Sequence, residues 1–576
     1  MNILGLNIFH ADTSACLVID GKIVSAVEEE RFTRIKHYAG FPINSIKFCL
    51  ENSKLSIENI DYIAVNFNSK YNFNEKFKFS LFHNPFVILK KFLFSYKKQN
   101  IKKIIEKNFS VKFKGKIEYV PHHIAHVSSS YLASGQESSL GLSIDGSGDF
   151  STLEAYTCKK NNLSLLKKIN YPHSLGIYYQ AFTQFLGFRN YGDEYKMMGL
   201  ASYGNPIYVD KIKKNIIFFD GTDFKLNLDF FTHHTGEFSY YFENDIPVFE
   251  NLFSNKINNI FGRPRGRNEN IEQFHKDLAA SVQDVFENIV ISMIKEINKN
   301  NEFENFSLSG GCAFNSVLNG KIEKLKMFKN IYISPNVGDA GGSVGAALFT
   351  SKKYEKEFLN CKIINSFLGT KYSNNYIEEN IIKSTNLKYM KISHQYFNDF
   401  DKLIDFSTDL LKEKKVIGWF QDRMEWGPRA LGNRSILADP SDSEVRNKIN
   451  LMVKNREDFR PFAPAILSEY VNEYVESEIE SEFMTYVSEA KDKAFTDIPG
   501  TVHINKTCRY QTVKETTNKK FYKLIKCFKE KTGIPAVLNT SLNMSEPICE
   551  NPNQAFELFA KSSMDCIVLQ NWVFYK

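Results

Sequence analysis

The residues with the clearest chemical potential are His122 and His126, in the run Pro121-His-His-Ile-Ala-His126. Four positions apart, they share one face of a helix and can bring both imidazoles to a single ion. Downstream, Leu140-Gly-Leu-Ser-Ile144 reads as a buried strand, and Asp145-Gly-Ser-Gly-Asp149 as a tight turn leaving it. Gly146 and Gly148 let backbone N–H groups approach an anion closely, and acidic side chains there can hold a cation against it. The pattern predicts a metal beside a nucleotide.

Two further stretches share the arrangement of strand, glycine turn and helix. They are Phe306-Ser-Leu-Ser-Gly310-Gly311-Cys-Ala-Phe-Asn315, and Ile331-Tyr-Ile-Ser-Pro335 followed by Gly338-Asp339-Ala-Gly-Gly-Ser-Val-Gly345. That arrangement places helix N-terminal amides on a phosphate. A third set is cationic: Arg429, Arg434, Lys454, Arg456, Arg460 and Arg509 stand next to rigid Gly and Pro residues. Arg presents a planar fork to carboxylate or phosphate oxygens, so several converging would clamp a small dianion. Gly533 to Asn543 reads as a buried strand ending in small polar residues suited to lining a site.

These groups need elements to hold them. Asn2–Asn7, Ala15–Ile19 and Lys22–Val27 predict an opening strand and a hairpin, with Phe9–Ser14 as the first turn. Such an opening is typical of actin-like ATPase domains. Glu28–Arg34, followed by Lys36 and His37, is too charged for core and too dense in charge to be a random surface. A helix is predicted over Ile43–Asn52, strands over Ile60–Phe67 and Ser151–Tyr156, and helices over Tyr171–Phe188 and Ile271–Asn298. Residues 205–270 read as irregular and aromatic. Lys352–Cys361 reads as a linker, which gives domains over 1–351 and 362–576.

A chain of 576 residues exceeds a single core. The nine cysteines include no C-x-x-C pair, which argues against a disulfide frame or a cysteine zinc site. The N-terminus lacks signal-peptide features, and no window predicts a membrane span, so the expected location is cytoplasmic. The net charge of +7 is uneven. Between Lys70 and Lys116 thirteen Lys face only Glu75 and Glu106, with Phe73, Phe77, Phe79, Phe92 and Phe94 interleaved. This segment is either an insertion with a solvated lysine face or a dock for an anionic acceptor or membrane surface.

Taken together, the motifs resemble those of the NodU-like O-carbamoyltransferases. The matches are His10-x-Asp12-x-Ser-Ala, E-E-E-R-F-x-R at 28–34, H-H-I-A-H at 122–126 and D-G-S-G-D at 145–149. They continue with E-Y-K-M-M-G-L-A at 194–201, S-G-G-C-A-x-N at 309–315 and N-V-G-D-A-G-G-S-V-G-A-A at 336–347. In the second half they are G-P-R-A-L-G-x-R-S-I-L-A-D-P at 427–440, R-P-F-A-P at 460–464, R-x-Q-T-V at 509–513 and L-N-T-S-L-N at 538–543.

The resemblance implies a mixed α/β chain. Its N-terminal part would be an actin-like ATPase (ASKHA, TsaD-like) domain of two RNase H-like lobes, and its C-terminal part a YrdC-like α/β domain. The C-terminal domain would make carbamoyladenylate from carbamoyl phosphate and ATP with Mg(II). The N-terminal domain would pass the carbamoyl group to an acceptor hydroxyl. By the same resemblance, His122, His126 and Asp339 would hold Fe(II) or another divalent metal. Asp145, Gly146, Gly148, Gly310, Gly311, Asn315 and Gly338 would face the nucleotide. Arg429, Lys454, Arg460, Arg509, Asn539 and Ser541 would face carbamoyl phosphate and ATP. The acceptor proton needs a base: His10 has a suitable unperturbed pKa, and Asp12 competes. The acceptor would be a sugar, glycoside or natural product; a hydroxymethylated DNA base or a tRNA is the alternative. The sequence leaves the oligomeric state open.

Overall fold

The computed structural model describes residues 1–82, 100–235, 240–299, 301–358, 362–385, 387–454, 456–457 and 459–576. Phe92 and Phe94 of the basic segment lie outside the described residues. The chain forms two compact units, Met1–Ile363 and Ile364–Lys576. The final helix of the first unit runs Gly341–Tyr354, so Lys352–Tyr354 of the expected linker are helical.

The first unit carries two five-stranded sheets of one design. In the first, the strands lie in the order Lys22–Glu28, Ser14–Ile19, Asn2–Asn7, Tyr62–Val65, Lys116–Tyr119. The first three pair antiparallel and the last two add in parallel. The second sheet repeats this with Asn162–Asn170, Ser151–Lys159, Ser138–Gly148, Asn305–Ser309 and Asn330–Ile333. One strand order is thus duplicated within the unit. Continuous apolar runs such as Ile3-Leu-Gly-Leu6 fit strands covered on both faces.

Three further expectations change. Glu28–Arg31 is buried, because the charges satisfy one another and a helix end. Arg31 pairs with Glu28 at 3.4 Å and with Glu30 at 2.9 Å. Glu29 accepts from the backbone N–H groups of Asn44 (3.0 Å) and Ser45 (2.7 Å), capping the Ile43–Asn52 helix. The glycine run 145–149 is not the turn: the strand continues to Gly148, which pairs with Ser151 across a register shift. The turn falls at Asp149 and Phe150, both with positive φ (49° and 74°). Residues 205–270 are not irregular throughout; they contain a helix at Val209–Asn215 and two small hairpins.

The glycines of 341–345 serve packing as well as turning. A Cβ at Gly345 would lie 1.7 Å from the Ala125 carbonyl oxygen, so only hydrogen fits between the Gly341–Tyr354 and His122–Tyr131 helices. Gly5 makes the same room for the Ser343 carbonyl. This close approach locks the histidine-bearing helix to the rest of the unit.

The second unit is built on an eight-stranded mixed sheet. Its order is Ser393–Tyr396, Trp572–Tyr575, Cys566–Leu569, Ile417–Phe420, Arg434–Ala438, Ala536–Ser541, Ala463–Leu467, Gln511–Val513. Apolar clusters cover both faces; one includes the Lys519–Thr532 helix, the other the Pro552–Lys561 helix. Among the described residues, no helix is long and apolar enough to cross a membrane.

Candidate metal and transfer centre

Pro121 begins the His122–Tyr131 helix, and the Asp149 carboxylate accepts its first N–H, from His122, at 2.9 Å. The same oxygen accepts from the Asn68 backbone N–H at 2.7 Å. Gly148 leaves room for the His122 ring, which a Cβ there would overlap. His122 and His126 then point their Nε2 atoms at one place, 3.0 Å apart. His123 instead faces the Ser143 hydroxyl at 2.8 Å.

Two carboxylates complete the cluster. Asp145 Oδ2 lies 2.8 Å from His122 Nε2 and 3.4 Å from His126 Nε2. Asp339 Oδ1 lies 3.5 and 3.4 Å from the same nitrogens. One ligand atom from each of the four residues lies within 4.8 Å of every other. Asp145 Oδ1 accepts from the Gly311 N–H at 3.1 Å, which ties the cluster to the glycine turn after Ser309.

The electrostatics suit a cation. Burial pushes the Asp339 carboxyl up, but His10 and His126 outweigh it and hold it well below the usual range. Asp145 behaves likewise with His122 and His126. Burial lowers His126, yet Asp145 and Asp339 raise it to about 9. Asp339 Oδ1 is buried and makes no hydrogen bond among the described residues. Two imidazole nitrogens and two carboxylate oxygens converging on one point, one of those oxygens unsatisfied, fit a divalent metal of the borderline class.

The first turn of the chain abuts this cluster. His10 Nδ1 sits 2.7 Å from Asp339 Oδ2, on the side away from the histidine pair's oxygen. Asp12, with φ of 59°, turns its carboxylate to His37 Nδ1 at 2.7 Å. The His37 backbone N–H donates to Glu30 at 2.7 Å, and Gly192 leaves space beside His37 Nε2. Glu194 lies in the same neighbourhood, where burial pushes its carboxyl up to about 7. Sequence reading missed this Asp12–His37 pair; the charged run at 28–37 next to H-x-D was the available signal. It also placed Asp145 only beside the metal, whereas the carboxylate stands within ligand distance.

The remaining nucleotide-facing expectations vary in setting. Gly146 has open space where a Cβ would project, and Gly310, with φ of 85°, packs against Ile144. Gly338 packs against Phe314. The Asn315 side chain caps the Ser316–Lys324 helix through the Leu318 N–H and pairs with Gln283.

In the second unit, Glu425 Oε1 accepts from the N–H groups of Leu431, Asn433 and Arg434 at 2.7–3.1 Å, fixing the Gly427–Arg434 loop. Arg434 is fully buried over the Phe420 ring and donates to four backbone carbonyls, so it is structural. The other cations converge. Burial, then Arg456 and Arg460, hold the Lys454 amine well below the lysine range. Burial, then Arg429, Arg456 and Arg460, do the same to Arg509. Lys454 donates to Ser541 Oγ at 3.2 Å and to Asn543 Oδ1 at 2.9 Å. Asn539 donates to Ala430 O and Gln511 Oε1, leaving its own buried Oδ1 without a hydrogen-bond partner among the described residues. Lys454 and Arg509 thus lie in the field of Arg456 and Arg460, with Arg429 also acting on Arg509 and Glu457 3.7 Å from Arg460, and this concentration of positive charge suits an anion.

With this geometry established, comparison with known proteins gives the class. Residues 2–348 match the family model "Carbamoyltransferase N-terminus" and residues 408–576 match "Carbamoyltransferase C-terminus". The chain belongs to the carbamoyltransferase family, in its NodU-like branch, and is a transferase. An uncharacterised protein of Synechocystis is 35% identical over all of this chain and 97% of its own length. The nodulation protein NolNO of Sinorhizobium fredii is 31% identical over 99% of this chain and 80% of its own. A 3'-hydroxymethylcephem-O-carbamoyltransferase of Streptomyces clavuligerus is 28% identical over 41% of this chain and 42% of its own.

Proposed function

We propose that the protein is an ATP-dependent O-carbamoyltransferase working in two steps in the cytoplasm. The C-terminal unit, read as YrdC-like, makes carbamoyladenylate in two bond changes with Mg(II): water cleaves carbamoyl phosphate to carbamate and inorganic phosphate, and the carbamate oxygen then attacks the ATP α-phosphorus and displaces pyrophosphate. The N-terminal unit transfers the carbamoyl group to a hydroxyl of a sugar, glycoside or natural product. The observation that carries the reading is the pairing of chemistries within one family chain. One unit sets Arg429, Arg456 and Arg460 in the field of the buried Lys454 and Arg509. The other gathers His122, His126, Asp145 and Asp339 on one point.

In the first step the cations offset the charge of carbamoyl phosphate and of the ATP phosphates, and Asn539 and Ser541 orient them. In the second, His122, His126 and Asp339 would hold Fe(II) or another divalent ion, with Asp145 alongside. Such an ion polarises a carbonyl and stabilises a leaving phosphate. Gly146, Gly148, Gly310, Gly311 and Gly338 allow the backbone to approach the nucleotide closely; the Gly310 N–H donates to the Val337 carbonyl and the Gly311 N–H to Asp145, and Asn315 shapes the turn below them. The acceptor oxygen bonds to the carbamoyl carbon, the bond from that carbon to the AMP phosphate oxygen breaks, and AMP leaves. His10 receives the acceptor proton, oriented by Asp339. Asp12, engaged by His37, holds the first turn rather than taking that proton.

The test is carbamoyl-phosphate-dependent pyrophosphate release from ATP, followed by transfer of labelled carbamoyl to a panel of glycosides and nucleotide sugars. Lys454→Met is expected to abolish pyrophosphate release. His126→Ala is expected to retain release and lose transfer. Pyrophosphate release that ignores carbamoyl phosphate would sink the reading. Transfer to hydroxymethylated DNA or tRNA, and not to sugars, would keep the chemistry and change the acceptor.

A further inference from the structure

The helix Phe73–Phe82 has two aromatic faces with opposite fates. Phe79 turns inward, its ring 5.5 Å from both Phe150 and Tyr171 in edge-to-face packing. Lys76 is anchored on the Ser69 carbonyl at 3.0 Å. Phe73 and Phe77, one helical turn apart, face outward and are 64% and 56% exposed. Their rings stack at 6.5 Å and 14°. Exposing two Phe rings on one turn is costly in water, and Phe, unlike Tyr or Trp, has no polar atom to offer in return.

The charge around them has a particular character. Lys70 and Lys78 flank the pair and are exposed. Lys102, Lys103 and Lys107 are exposed on the Ile101–Phe109 helix, whose Ile101 and Ile105 anchor it in the lobe core. None of these five forms an ion pair with a described residue. From Lys70 to Lys116 every cation is Lys and none is Arg. Forked, bidentate recognition of a defined phosphate is therefore missing, while diffuse attraction to an anionic surface is strong. Insertable Phe rings beside solvated lysines are the composition of an interfacial helix.

We propose that the Phe73–Phe82 helix is a peripheral docking element for an anionic lipid bilayer, entering the headgroup region through Phe73 and Phe77. Its inner side reaches Phe150, the neighbour of the Asp149 that caps the His122 helix, so docking holds the His122/His126 centre beside the membrane. Vesicle binding through this helix needs neither carbamoyl phosphate nor ATP.

The test is co-sedimentation of the full chain with vesicles of phosphatidylcholine alone and of phosphatidylcholine with a third phosphatidylglycerol, at low and high salt. Binding is expected to the anionic vesicles, to weaken at high salt, and to fall about tenfold or more in Phe73→Ser/Phe77→Ser. That variant should keep the wild-type circular dichroism, unfolding midpoint and pyrophosphate release. Absence of binding to anionic vesicles at low salt overturns the proposal. So does equal binding by the variant, or tight binding to a single-stranded RNA that anionic vesicles do not displace.

Discussion

Gly345→Ala tests whether a single close helix contact sets the geometry of the metal cluster. The added Cβ would start 1.7 Å from the Ala125 carbonyl oxygen, and real Cβ contacts do not come below 3.0 Å. The Gly341–Tyr354 and His122–Tyr131 helices must therefore part by about 1.3 Å at that point. Ala125 immediately precedes His126, so the displacement falls on a candidate ligand. Metal–ligand distances tolerate only about ±0.2 Å. The substitution should cost about 1–3 kcal/mol through overpacking, and should lower metal affinity by far more than that change in stability would suggest. Gly146→Ala is the contrast, since its Cβ would meet nothing within 4 Å. The assay is metal content after dialysis against a graded chelator, with unfolding midpoints for the metal-loaded and stripped forms. If Gly345→Ala retained metal like Gly146→Ala and unfolded at the wild-type midpoint, the helix contact would not be what positions His126.

Three further outcomes are expected. Burial raises the Glu194 carboxyl from 4.5 to about 7, so the folded state holds a proton that the unfolded state releases. Stability then falls as pH rises between those values and the penalty, about 3 kcal/mol, is complete above pH 7. Glu194→Gln should flatten that slope in a pH series of urea midpoints. Lys454 has the opposite sign: its folded pKa is depressed, so the unanioned protein gains stability as pH rises from the depressed value toward the usual lysine value. Lys454→Met should remove that gain, and added inorganic phosphate should stabilise the wild type at neutral pH but not the variant. Glu29→Ala strips the acceptor from the N–H groups of Asn44 and Ser45 and should cost about 1–3 kcal/mol in thermal unfolding, despite changing a residue in a highly charged run.

Local signals were legible where period and turn chemistry agree with tertiary context. The Asn2–Asn7 strand and the Ile43–Asn52 helix fall where alternation and apolar spacing put them. The spacing of His122 and His126 translated directly into one shared point, because four residues is close to one helical turn. What escaped was decided by partners far away in the chain. Glu28–Arg31 looks too charged for the core until Asn44, Ser45 and its own neighbours satisfy it. Gly345 reads as a phosphate turn until Ala125 is placed against it. Arg434 looks like an anion ligand, although four carbonyls already claim it. The strand through Asp145–Gly148 outran its glycines because Ser151–Lys159 supplies a ladder that propensity does not encode.

Asp149 closes on both the insertion and the metal helix with one oxygen, accepting from Asn68 and from His122. Two segments that share one acceptor have linked energetics. An event that tightens the chain at Asn68 also firms the first turn that carries His122, and ordering at His122 returns the favour by the same factor. Surface engagement through the Phe73 helix and ion affinity at the histidines should accordingly vary together. Asp149→Asn would weaken the link while leaving both ends in place, so the two affinities would depend less on one another.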